Sequence, residues 1–303
     1  MNEINPEHFR CGSIAIVGRP NVGKSTLLNH LVGQKVSITS NKAQTTRHRI
    51  TGILTDANTQ YLFLDTPGFQ KTHQNALNRV LNRTVANTAS DADVIVFAVE
   101  AMRYTDADAT VLKSLPAEAK VILAVTKIDR ETVKADKSRL MTWLAEMQAR
   151  HAFTAVVPLS VKNAATLTEL KRAIRPHLPE QAAIFGADDM TDKSERFIAS
   201  EFIREKVFRQ LGDELPYSVN VVIEQFQLDG TMRRIHATIV VEKQSQKAII
   251  IGEKGERLKR IGTDARKEME GIFGNKVYLE LWVRVKKGWA DDDAMVKQYG
   301  YQT

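Results

Sequence analysis

The chain is nearly without cysteine. Cys11 is the only one in 303 residues, which excludes an intramolecular disulfide and a cysteine-ligated metal cluster, suits a reducing cytoplasm, and leaves Cys11 to act as a small, inert side chain. Long apolar runs are missing too: none approaches the about 18 residues that a membrane-crossing helix needs. The first residues, Met1 to Gly12, carry Glu3 and Glu7 where a signal peptide would have an apolar centre. There is no low-complexity tract and no internal repeat. Acidic residues are in deficit, 36 against 43 Lys plus Arg, for a net charge of +7. That balance admits polyanionic partners without requiring them, because solvated surface lysines produce the same sum.

What remains is ordinary globular material, 43% hydrophobic and 26% charged, and long enough for two domains. From Ser13 to about Leu178, short β-branched runs alternate with amphipathic stretches, the pattern of an α/β domain with a mostly parallel sheet and helices on both faces. Strands are expected at Ser13–Gly18, Ile50–Thr55, Tyr61–Asp65, Asp93–Glu100, Val121–Thr126 and Ala155–Ser160. Helices are expected after Lys24, at Asn78–Ala89, as one piece at Lys134–Arg150, and at Thr166–His177. Pro176, Pro179 and Gly186 then break the pattern. The implied division is a tail (1–11), an α/β domain (12–178), a linker (179–191) and an α+β domain (192–303). The last should open with a helix capped by Asp192 and Glu195, striped with Phe197, Ile198, Phe202, Val207 and Leu211. Strands at Ser218–Phe226 and Arg234–Glu242, a helix opening near Gly252 and a strand at Lys276–Val285 complete it.

Gly18-Arg19-Pro20-Asn21-Val22-Gly23-Lys24-Ser25 has P-loop spacing between a strand and a helix, with Thr26 next in that helix. Its glycines let backbone N–H groups wrap phosphate, and a Cβ at Gly23 is expected to obstruct that approach. Lys24 supplies a point charge to the β- and γ-phosphates, and the Ser25 hydroxyl is a hard ligand for Mg²⁺. Asp65-Thr66-Pro67-Gly68 ends a strand where a carboxylate can hold Mg²⁺ through water and the Gly68 N–H can meet a γ-phosphate. In the polar loop 42–49, Thr45 or Thr46 can add a hydroxyl ligand that is released with phosphate, and Thr46 is the preferred one. Thr126-Lys127-Ile128-Asp129 reads the base. The Asp129 carboxylate accepts two hydrogen bonds from guanine, whereas adenine presents an acceptor there; the Lys127 stem lies across the base, and Ser160-Val161-Lys162 offers a backbone N–H. ATP is therefore disfavoured.

In the C-terminal part, Gly252-Glu253-Lys254-Gly255 follows the apolar Ile249 and Ile251 and precedes Arg257, Lys259 and Arg260. It looks like the GxxG loop of a KH domain, where absent side chains admit a nucleic-acid backbone and the basic residues neutralise phosphates. Gly271 and Gly274 repeat the spacing at what reads as a helix stop. Trp282 and Trp289 flank the basic run Arg284, Lys286 and Lys287; stacking on bases and service as core or rim residues are both open to them.

This ordered set, with Gln44-Thr45-Thr46-Arg47-His48-Arg49 and the C-terminal half, resembles the Era family of bacterial ribosome-assembly GTPases along nearly the whole chain. Thr126 departs from the usual Asn, so a lower nucleotide affinity is expected; Val161 departs from the usual Ala, and a backbone contact is expected to survive it. The resemblance implies a P-loop GTPase domain joined to a type II KH domain, binding of the 3′ end of 16S ribosomal RNA, a role in 30S subunit maturation, and control of RNA binding by GTP. It implies slow hydrolysis, since Phe69 stands where many small GTPases carry a water-orienting Gln, leaving Lys24, Mg²⁺, Thr46 and the loop N–H groups to act. Asn21 occupies the position that helps hold K⁺ in similar potassium-activated GTPases; a loop-shaping Asn is the alternative. The expected protein is a cytoplasmic monomer, with peripheral contact at the inner face of the cell membrane left open by its basic C-terminal face. Rival readings are a membrane-surface regulatory GTPase, a nucleotide kinase, and an RNA-binding protein whose nucleotide is purely structural.

Overall fold

The computed structural model describes residues 8–40, 42, 45–68, 76–211 and 219–301. Phe69 and Gln44 lie outside them. The chain divides into two compact units. The first draws on Met1–Ser37, Thr46–Thr72 and Leu81–Asp192, and the second on Ile38–Thr45, His73–Val80 and Lys193–Thr303.

Within the first unit, β1 (Arg10–Val17), β3 (Thr59–Asp65), β4 (Val94–Glu100), β5 (Val121–Thr126) and β6 (Ala155–Pro158) run parallel, and β2 (Ile50–Asp56) pairs antiparallel with β3. The order β2-β3-β1-β4-β5-β6 follows from crossover helices: α1 (Lys24–Val32), α2 (Ala76–Asp91), α3 (Asp106–Lys113), α4 (Glu131–Lys134), α5 (Lys137–Gln148) and α6 (Ala164–Ile174). The central strands are apolar at nearly every position because both faces are covered. Ala15, Val17, Ile95, Phe97, Val99, Leu123 and Val125 meet Val111 of α3 and Met147 of α5 on one face. The other face receives α1 and α6. Gly52 is required there, since a Cβ would come within 2.6 Å of Leu28 on α1.

Two departures from the sequence reading have local causes. The single helix expected over Lys134–Arg150 is broken because the Asp136 carboxylate accepts from the Arg139 N–H and caps a new start. The linker stretch is fastened to the first unit. The Gln181 N–H donates to the Phe9 carbonyl and its side chain to the Cys11 carbonyl, while the Gln60 Oε1 accepts from the Ile184 and Phe185 N–H groups. Cys11 is fully buried there, and burial pushes its thiol pKa up, which suits the inert role.

The second unit runs α7 (Glu195–Gln210), β7 (Asn220–Asp229), β8 (Met232–Val241), α8 (Gln244–Ile251), α9 (Glu256–Phe273), β9 (Lys276–Val285) and α10 (Asp293–Gln298). β8 pairs antiparallel with β7 and parallel with β9, which leaves β9 at an edge. Phe202, Val207, Ile235, Ala237, Ile239, Ile261, Ala265 and Met269 form its core, giving the α+β arrangement expected. Asp192 does not cap α7: Ser194 accepts from the Phe197 N–H, and the Asp192 carboxylate instead accepts from the Thr51 N–H. α8 was not anticipated. Ile249 and Ile251 lie at its end, and the helix expected near Gly252 is α9, which opens at Glu256. Gly274, at φ 68°, stops α9 by donating to the Glu270 carbonyl, as read.

Candidate nucleotide site and candidate nucleic-acid interface

The P-loop is built by backbone that few residues tolerate. Gly18 has φ +153°, and a Cβ there would lie 2.5 Å from the Ala98 carbonyl oxygen. The expected obstruction at Gly23 takes another form, because a Cβ would meet nothing within 4 Å; its φ of +110° is what demands glycine. Asn21 sits exposed at φ 62°. Lys24 folds back over the loop, its Nζ donating to the carbonyls of Gly18 (3.0 Å) and Arg19 (3.2 Å). Burial pulls its pKa down to about 8, with Asp65 opposing and Arg19 reinforcing the shift.

Asp65 is the centre of an oxygen cluster. Its Oδ2 accepts from Ser25 (2.6 Å), Ser37 (2.8 Å) and Thr46 (3.3 Å), and the Ser25 and Thr46 hydroxyls are 2.8 Å apart. Burial pushes the Asp65 carboxyl above the usual range, against the pull of Ser25, Lys24, Ser37 and Thr46. Its Oδ1 is buried with no hydrogen-bond partner among the described residues. One carboxylate, two or three hydroxyls and an uncommitted buried oxygen are the hard donors that Mg²⁺ takes beside phosphate, so the residues fit that ion. Of the two adjacent threonines, Thr46 lies in this cluster, whereas Thr45 turns to Ser40 and to the Lys42 carbonyl. Ser37 was missed, because a lone serine past a helix end carries no motif. Gly68 lies against Pro20, which a Cβ would approach to 2.9 Å, and Thr66 donates to the Ile16 carbonyl.

At the base-reading end, the Thr126 hydroxyl lies 2.9 Å from the Val22 carbonyl and 3.2 Å from that of Val99, so it ties β5 to the P-loop as the expected amide would. Lys127, at φ 61°, donates to the Asn21 carbonyl (3.0 Å). Asp129 pairs with Lys162 at 3.3 Å. Burial raises its pKa, but hydrogen bonds from Ser160 and the backbone, with Lys162, outweigh that and hold it below the usual range. The Lys162 N–H donates to the Ser160 hydroxyl (3.2 Å), shaping the loop that carries Val161. Beneath these loops is a hub that the motifs did not reveal. Glu100, at the end of β4, accepts from Arg19 (2.8 Å), Lys127 (3.2 Å) and Arg130, and Asp108 holds the other side of the Arg19 guanidinium (3.2 Å). The Arg19 guanidinium is thus committed to this hub. A buried Glu ending an apolar strand was the available signal.

In the second unit, Gly252 (φ 71°) and Gly255 (φ 82°) turn the chain between α8 and α9. A Cβ at Gly252 would lie 2.7 Å from that of Arg257, whereas one at Gly255 would meet open space. Glu253, Lys254, Lys259 and Arg260 are exposed. Arg257 is committed elsewhere, capping α8 through the Ile249 carbonyl at 2.6 Å. Gly255, Leu258, Lys259, Thr263 and Arg266 face Leu279 and Leu281 of β9 across a cleft of about 380 Å³. Trp289 is fully buried beside Tyr301, but Trp282 is 41% exposed, so the two tryptophans part company.

The comparisons agree with this geometry. The family described as "50S ribosome-binding GTPase" matches residues 13–127, and a KH domain matches residues 214–290. The GTPase Era of Nitrosomonas eutropha is 54% identical, covering 97% of this chain and 98% of its own. The chain belongs to the Era family. It is accordingly a GTPase. Era of Neisseria meningitidis serogroup A is 53% identical over 96% of this chain and 95% of its own. Among solved structures, an Era variant of Aquifex aeolicus bound to GDP·AlF4⁻ superposes with a TM-score of 0.92 at 37% identity, over 97% of this chain and 100% of the other. Era in complex with MgGDPNP and nucleotides 1506–1542 of 16S ribosomal RNA gives 0.92 at 38%, over 98% and 100%. Among the described residues, no helix is long and apolar enough to cross a membrane.

Proposed function

We propose that the protein is a GTP-driven switch that binds the 3′ end region of 16S ribosomal RNA through its KH domain and assists maturation of the 30S subunit. The observation that carries the switch is the convergence of Ser25, Thr46 and Asp65 beside Lys24. Mg²⁺, when bound, neutralises charge on the β- and γ-phosphates. Lys24 and the N–H groups of the P-loop bind and orient the same phosphates, the Gly68 N–H meets the γ-phosphate, and Thr46 holds its loop only while that end of the site is filled. The Asp129 carboxylate, kept ionised, selects guanine.

No side chain in these roles orients the attacking water, and Phe69 in sequence cannot, so intrinsic turnover is slow. Asn21, with its left-handed backbone, holds K⁺ near the phosphates in place of an arginine finger; equal hydrolysis rates in KCl and NaCl would remove this. The RNA reading draws on the exposed Lys254, Lys259 and Arg260 around the GxxG turn and on the relative solved with ribosomal RNA. Crosslinking the GTP-bound and GDP-bound forms to cellular RNA tests the whole. Recovery of the 16S 3′ end in a nucleotide-dependent manner, abolished by Gly252→Asp, is expected; equal RNA recovery from every form would defeat it.

A further inference from the structure

The face of the second unit's sheet that points away from its core carries a strip of aromatic side chains. Along β8, Ile235, Ala237 and Ile239 are buried in the core, so Arg234, His236 and Thr238 point to the opposite face. Their parallel neighbours on β9 are Tyr278, Glu280 and Trp282. Tyr278 is 43% and Trp282 41% exposed, which is unusual for aromatic groups of this size. The His236 ring stands between them, 6.2 Å from Tyr278 and 5.6 Å from Trp282, at interplanar angles of 61° and 75°. These are edge-to-face contacts. Among the described residues no parallel ring covers either large aromatic, while the Arg234 guanidinium sits 5.5 Å from the Tyr278 ring centroid.

Beside Trp282 opens a cleft of about 460 Å³, lined also by Lys247 and Gln244 of α8, Arg284, Glu224 and Thr238. The Arg284 guanidinium is 3.6 Å from Glu224, and Arg234 is held by Asp229 at 2.8 Å. These carboxylates orient the cations. With Lys286 and Lys287 just beyond β9, basic residues outnumber acidic ones along this edge.

β9 joins this face to the GxxG cleft. Leu279, Glu280 and Leu281 line that cleft with Gly255 and Lys259, and Trp282 is the next residue. Three residues of strand span about 10 Å. Because β9 is the edge strand, a chain leaving the cleft crosses no further strand to reach Trp282. Exposed aromatic rings spaced along a basic track are how proteins hold single-stranded nucleic acid without reading its sequence.

We propose that Trp282, with Tyr278 and His236, forms a second nucleotide-binding subsite, on which bases of single-stranded RNA stack after leaving the GxxG cleft. Lys247 and Arg284 take the adjoining phosphates. The proposal rests on the RNA-binding reading above and extends it to a surface outside the GxxG turn.

The test compares RNAs of about six nucleotides, enough for the GxxG cleft, and about twelve. The unaltered protein should bind the longer one more tightly. Trp282→Ala should weaken binding of the longer RNA about tenfold, as loss of one stacked base does, and leave the shorter one unchanged; Trp282→Phe should restore most of the loss. Gly252→Asp should weaken both. Equal binding of the longer RNA by Trp282→Ala and the unaltered protein would overturn the subsite while leaving the cleft intact, whereas failure of the unaltered protein to bind either RNA would overturn the underlying reading. Ultraviolet crosslinking of the unaltered protein needs no variant. The longer RNA should label the peptide Lys276–Val285 at Trp282, and labelling confined to residues around Gly252 would also reject the subsite.

Discussion

Thr126 shows how one side chain can keep a contact while losing strength. Its hydroxyl spans the distance to the Val22 carbonyl, yet it has a single proton to offer two carbonyls, where an amide has two. Thr126→Asn should therefore tighten GDP binding several-fold, on the order of 1 kcal/mol, and Thr126→Val should weaken it by a similar amount in calorimetric titration. Asp65 is less forgiving. Three hydroxyls converge on its Oδ2, so Asp65→Ala should abolish magnesium-dependent GTP hydrolysis, with phosphate release as the readout. Ser37→Ala should be milder, a loss of about 1 kcal/mol in thermal stability, because it removes one donor of three. At this scale the motifs made the gathering of Ser25, Lys24 and Asp65 legible, since phosphate and metal chemistry demands particular residue types at fixed spacing. Ser37 and Glu100 were illegible because their partners are distant in sequence: Glu100 meets Arg19, 81 residues away.

The end of β4 gathers charge from two loops, Arg19 from one and Lys127 and Arg130 from the other. Burial would raise the pKa of Glu100, but Arg19 and Lys127, as hydrogen-bond donors, and Arg130 outweigh it and hold the carboxyl below the ordinary range. A depressed carboxylate adds stability that is complete above its unfolded pKa, about 4.3, and is lost as pH falls through the folded value. Acid titration of stability should thus show a decline below about pH 4.3 that Glu100→Gln flattens. The same variant should cost about 2 kcal/mol near neutrality, since it leaves Arg19 with Asp108 alone; urea unfolding measures it. Strand identities were legible from β-branched runs, and their ends shifted by only a few residues. Helix boundaries were not, because Asp136 and Asp192 look alike as caps until one is seen to bond forward to Arg139 and the other across to Thr51.

For the whole molecule, the order of motifs along the chain carried more information than composition did. A charge of +7 left nucleic acid undecided; a P-loop, a Thr-Lys-Ile-Asp strand end and a GxxG turn in that order gave the resemblance to the Era family. Ligand linkage then supplies a measurement on the intact chain. GDP with Mg²⁺ at about a hundred times its dissociation constant should stabilise the nucleotide-binding unit by about 2.7 kcal/mol. That is an upward shift of its melting temperature by about 5–11 °C, and chelation by EDTA should remove most of it. The sequence reading set a break at Pro176 and Pro179, whereas the two compact units part after Asp192. What the break conceals is that the residues after it return to the first unit.

That return bears on anyone who wishes to cut the protein. Gln181 is laced to Phe9 and Cys11, Gln60 clasps Ile184 and Phe185, and the Ile53 N–H donates to Met190. A fragment stopped at Leu178 would unpick this selvedge and lay bare Phe9, Cys11, Ile53 and Leu62, which pack together with Phe185. The serviceable place for the scissors is beyond Asp192.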